Sequence, residues 1–132
     1  MGHPSLARFE SKLKELFDRV DWELEGKYGS DYPLHPSRAK RGTTSNPQTN
    51  GLFNLGASFS AGFGSKIGRG YVVDVEMVTL AHVPADVREK IEEEAAARIE
   101  ELLPQYFPGR DLSVSRDRNV FKIHGDIRLG SA

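Results

Sequence analysis

No cysteine occurs among the 132 residues, which excludes disulfide frameworks, thiolate zinc sites and cysteine nucleophiles. No apolar run comes near the roughly 20 residues that a membrane-spanning helix requires. The N-terminus, Met1-Gly2-His3-Pro4, lacks the basic-then-apolar order of a secretory signal, and Leu6 stands where a myristoylation signal places Ser or Thr. These absences set the expectation of a cytoplasmic protein with no membrane partner. A further absence is local. Residues 32–73 contain no Asp or Glu, yet hold Arg38, Lys40, Arg41, Lys66 and Arg69. Residues 1–31 carry 5 basic and 7 acidic side chains and residues 74–132 carry 8 and 12, so a formal net charge of −1 hides one positive segment. Such an asymmetry creates a local field that attracts anions.

Sequence signatures of catalysis and metal binding are missing as well. The glycines at 56, 62, 64, 68 and 70 satisfy neither the Walker spacing nor the dinucleotide fingerprint. No pair among His3, His35, His82 and His124 has zinc-ligand spacing. Neither a metal nor a cofactor is expected.

What is present is organised around residues 52–80. Phe53, Leu55, Ala57, Phe59, Ala61 and Phe63 alternate with Asn54, Gly56, Ser58, Ser60 and Gly62. Strand side chains alternate between faces, so this stretch has one apolar face and one small, polar face. After the connector Gly64–Gly70 comes a β-rich run, Tyr71–Leu80, which predicts a long antiparallel hairpin.

On either side of it lie helical patterns. Leu6, Phe9, Leu13, Leu16, Phe17, Val20 and Leu24 form an apolar stripe that ends at Gly26 and Gly29, with Trp22 off its centre and placed to pack at its edge. Val87, Ile91, Ala95, Ile99 and Leu102 form a second stripe, started by Val83-Pro84-Ala85-Asp86, ended or kinked at Pro104 and closed by Tyr106-Phe107-Pro108-Gly109. The Glu92-Glu93-Glu94 run reads as a solvated helix face, with Arg88, Lys90 and Arg98 four residues from acidic partners. A last hairpin turns at Asp117-Arg118-Asn119, between Leu112 and Val114 and the alternating Phe121, Ile123, Ile127 and Leu129.

These elements predict one α+β domain over residues 1–132, ordered helix-hairpin-helix-hairpin (αββαββ). Its four-stranded antiparallel sheet would carry both amphipathic helices on one face. Residues 30–51, rich in Pro, Gly, Thr and Ser, read as a long basic loop within it. The other sheet face is left for a partner, and its small residues permit close approach.

The leading functional expectation is a small intracellular, non-catalytic binding module whose basic, glycine-rich 35–70 segment contacts an anionic partner, either a nucleic-acid backbone or a phosphorylated small molecule. Arg38, Lys40, Arg41, Lys66 and Arg69 supply charge, Asn54, Ser58 and Ser60 offer hydrogen bonds, and Tyr71 at the tip is the stacking residue. An alternative of another class is a homo-oligomer that assembles through the long hairpin. A third is a small hydrolase using His124 and Asp126 with a serine such as Ser58 or Ser60.

Overall fold

A computed structural model of the chain describes residues 4–40 and 50–127. The elements run α1 (Pro4–Tyr28), β1 (Phe53–Ser60), β2 (Gly70–Met77), α2 (Ala85–Tyr106), β3 (Leu112–Asp117) and β4 (Val120–Gly125). The four strands form one antiparallel sheet in the order β1-β2-β4-β3. β1 and β2 pair without a bulge from Phe53↔Met77 to Ser60↔Gly70. The two hairpins meet where Tyr71 opposes Ile123 and Val73 opposes Phe121.

Pairing parity then decides the two faces. The row Phe59, Tyr71, Ile123, Val114 crosses the sheet on one side, and the row Ser58, Val72, Lys122, Ser115 crosses on the other. The first side is the core side. There Phe53, Leu55, Tyr71, Val73, Met77 and Ile123 join Phe9, Leu13, Leu16, Phe17, Val20 and Leu24 of α1 in one cluster with Ile91, Ala95, Ile99, Leu102 and Leu103 of α2. Exclusion of water from a fully buried Leu or Ile contributes about 2 kcal/mol each, so this layer is what holds the helices to the sheet.

Surface charges pair between the helices as well as along them. Arg98 reaches Glu23 at 2.7 and 3.0 Å, and Lys27 reaches Glu94 at 3.1 Å. The hydrogen bond from Arg98 holds the Glu23 carboxyl below the usual range, against a smaller upward push from burial.

Four differences from the sequence reading have local causes. α2 does not stop at Pro104 but closes at Tyr106, where the Tyr106–Gly109 signal begins, because a proline in the last turn removes one ladder bond where little helix remains to break. β1 ends at Ser60, so the apolar alternation outruns the helix layer, leaving Phe59 56% and Phe63 97% exposed. Trp22 stands mostly in solvent instead of at the edge of the stripe. Strand β4 stops at Gly125 although Ile127 beyond it is buried; Leu129, read as its continuation, lies outside the described residues. No helix among the described residues is long and apolar enough to cross a membrane.

Candidate functional site

The described cations of the acid-free segment, Arg38, Lys40, Lys66 and Arg69, do not gather in one place. β1 has eight residues, about 26 Å of strand, and it separates the 38–40 region at one end from the 61–69 loop at the other. At the first end Arg38 is structural. Its Nε donates to the Gly51 carbonyl at 3.0 Å, and its Nη2 donates to the carbonyls of Asn50 at 3.0 Å and Phe53 at 2.9 Å. Gly51, at φ +79°, lets the Glu25 carboxylate approach closely enough to accept from the Leu52 amide at 3.0 Å. Together Arg38 and Glu25 moor the start of β1. The guanidinium expected to meet a ligand is spent on the protein's own backbone. Lys40 is exposed and lines a shallow groove with Trp22 and Leu34. Arg41 lies outside the described residues.

Tyr71 requires a second correction. It is 5% exposed, stacks on Phe9 at 5.5 Å and donates its hydroxyl to Glu10 at 3.3 Å. Burial, and after it the Glu10 carboxylate, push its phenol pKa up. Parity explains the placement, since Tyr71 opposes Phe59 and therefore points to the core side. The aromatic that does reach solvent at the tip is Phe63.

Asn54, Ser58 and Ser60 lie on the open face, as their even positions require. That face is graded in charge. Asn54 donates to Glu76 at 3.3 Å, and exposed Asp74 opposes Gly56. The end holding Asn54 is therefore acidic and repels an anion, whereas Ser60 adjoins the loop that carries exposed Lys66 and Arg69.

A polar cluster that sequence reading missed builds that loop. Lys122, on the open face of β4, is nonetheless buried, because residues 61–69 fold over it. Its ammonium lies 2.6 Å from Asp117 Oδ2, donates to the Gly68 carbonyl at 2.9 Å and contacts Ser65 Oγ at 3.3 Å. The Ser65 hydroxyl donates to Asp117 at 2.6 Å and accepts from the amides of Ile67 and Gly68 at 3.1 and 3.2 Å. Arg118, in the β3–β4 turn at φ +59°, donates to the Gly64 carbonyl at 3.1 Å. Gly62, at φ +83°, leaves no room for a Cβ against Gly68 and starts the fold-back. The result is a pinned loop beside a cleft of about 300 Å³ lined by Ser60, Phe63, Ser65, Asp117, Arg118 and Lys122. Only the glycine spacing and the lone serine hinted at it in the sequence.

The pin is expected to loosen in acid. The Lys122 hydrogen bond, and after it that of Ser65, hold the Asp117 carboxyl below its ordinary range. A folded-state value lowered in this way adds stability that is complete above the unfolded value, near ~3.9 for aspartate, and is lost as pH falls through the folded value. NMR titration is expected to leave the Ile67 and Gly68 amide shifts unchanged into mildly acidic solution, then move them together below that range. Movement near neutral pH would show that another group holds the loop.

The serine beside His124 is neither Ser58 nor Ser60. His124 Nε2 lies 2.8 Å from Ser115 Oγ on the neighbouring strand β3. Ser58 and Ser60 are on β1, with β2 in between, so about 10 Å separates their strand from that of His124. Among the described residues no group of three metal-ligating side chains gathers.

A protein-family profile described as "Uncharacterised protein" matches residues 4–125, which takes in every helix and strand described above. Among curated proteins, the chain is similar to an uncharacterised protein of Borreliella burgdorferi, 37% identical over 117 residues that cover 89% of this chain and 91% of the relative. No solved structure gives a significant match. The matched span includes Arg38, Lys122 and both hairpin tips, and the chain belongs to this family of uncharacterised proteins.

Proposed function

We propose that the protein is a non-catalytic binding module whose 61–69 loop and neighbouring β3–β4 turn hold a single strand of nucleic acid. The observation that carries this reading is Phe63, 97% exposed on a loop that also displays Lys66 and Arg69 and is bonded to Arg118. Exposing a whole phenylalanine ring to water is unfavourable without a partner. An aromatic platform flanked by cations suits a strand that offers both bases and phosphates. A small phosphorylated ligand fits less well, because the amides of Ser65, Ile67 and Gly68 donate inside the loop and are not turned outward as an anion nest. The acidic end of the open face limits the contact to the tip.

Fluorescence anisotropy with a labelled single-stranded DNA tests this, over a range of salt concentrations. With three cations engaged, the logarithm of the binding constant is expected to fall with the logarithm of salt at a slope of about −2. Changing Lys66, Arg69 and Arg118 together to Ser should remove most of that slope. Phe63→Ala should weaken binding by roughly tenfold and leave the slope in place, because stacking is not ionic. No binding at low salt, or a triple variant that binds like the parent, would overturn the reading. Tighter binding of a mononucleotide than of the strand would move the site into the cleft.

A further inference from the structure

The two edges of the sheet are built differently. On β3 the Val114 amide donates to Glu100 of α2 at 2.8 Å, and Arg116 pairs with Glu89 at 3.7 Å. That edge is covered by a helix and carries charge, two of the devices by which proteins prevent strand addition. β1, Phe-Asn-Leu-Gly-Ala-Ser-Phe-Ser, contains no charge, no proline and no bulge.

Its outward groups follow from two bonds. Val78 donates to the Leu52 carbonyl at 2.7 Å, which places position 52 toward β2, and the Phe53 carbonyl accepts from Arg38 on the opposite side. Backbone groups alternate along a strand, so Ala57 and Phe59 present amide and carbonyl away from β2. Among the described residues no hydrogen bond reaches these outward groups. The 61–69 loop does not cover them, because it turns back over the open face to Lys122. Beside them the Phe59 side chain is 56% exposed and meets the Tyr71 ring edge-on at 5.6 Å.

We propose that residues 57–61 pair antiparallel with the same segment of a second copy, about a two-fold axis at Phe59. The segment is self-complementary in this register. Phe59 opposes Phe59 of the partner subunit on the core side, Ala57 opposes Ala61, and Ser58 opposes Ser60 on the polar side. Every opposed pair matches in size and polarity, as an isologous interface requires. The two sheets become one, and the exposed ring of Phe59 is covered by its symmetry mate.

The absence of cysteine makes the register directly testable. In sedimentation equilibrium across the micromolar range, the chain is expected at twice its 14.7 kDa mass. Phe59→Arg, which sets two like charges face to face on the axis, should return it to a single chain. Phe59→Cys should form an intermolecular disulfide under mild oxidation, since opposed Cα atoms at about 5.5 Å suit that bond. Ala57→Cys should not, because in this register the two copies of position 57 lie about 13 Å apart. A single-chain mass throughout the concentration range would overturn the proposal, as would a cross-link that favours Ala57→Cys over Phe59→Cys.

Discussion

Arg38→Ala is expected to lower the unfolding free energy by about 3 kcal/mol, the scale set by losing charged hydrogen bonds to carbonyls that stay buried. The guanidinium serves three acceptors, on Asn50, Gly51 and Phe53, and those residues are themselves buried. Removing it leaves the start of β1 with polar groups that water does not easily reach. In thermal unfolding this should appear as a midpoint lower by roughly 10 °C for a chain of this size. Arg38→Lys should recover little, because a single ammonium cannot span acceptors that the planar fork bridges together. The same variant separates two roles for the residue. If Arg38 were a ligand contact, Arg38→Ala would melt like the parent and lose only binding.

The parts of the fold set by side-chain periodicity were legible in the sequence, and those set by the path of the chain were not. The three- and four-residue spacing of Phe9, Leu13, Leu16, Phe17 and Val20 specifies a helix and its buried side without reference to anything else. The alternation from Phe53 to Phe59 likewise specifies a strand and its two faces. Alternation carries no information about how far a helix extends over that strand. Phe59 and Phe63 therefore shared the pattern of core residues, yet stand beyond the cover of α1. Tyr71 failed in the opposite sense. Its nearness to a loop suggested exposure, while its pairing with Phe59 turned it inward.

Charge was the least legible quantity. An acid-free segment is visible in the sequence, but β1 carries its two ends apart, and Arg38 folds back on carbonyls up to fifteen positions away. The alternation of Phe121, Ile123 and Ile127 puts Lys122 on the open face, where a lysine is ordinarily solvated, yet it is buried. Its burial depends on where residues 61–69 travel, and local spacing does not encode that route. The candidate site consists largely of such long-range encounters: Ser65 with Asp117, Gly68 with Lys122, Gly64 with Arg118.

That construction makes Lys122 the residue on which the tip depends, although it is buried beneath the loop. Lys122→Met keeps much of the side-chain length and apolar body while removing the ammonium. Asp117 then loses its ion pair at 2.6 Å, the Gly68 carbonyl loses its donor, and the Ser65 hydroxyl keeps only its bonds to Asp117 and to the two loop amides. The core cluster lies on the opposite face of the sheet and contains none of these groups. Thermal unfolding should therefore retain a cooperative transition, while hydrogen exchange at Ile67 and Gly68 rises toward that of an unprotected loop. If the tip binds single strands, affinity should fall nearly as far as in the variant lacking Lys66, Arg69 and Arg118, although all three cations are still present. Charge alone attracts the strand at long range, but a loop that must be ordered on binding returns part of that attraction as lost entropy. Unchanged affinity with a loosened loop would show that the charges act without a fixed geometry, and the pinned cluster would then serve only to cover β4.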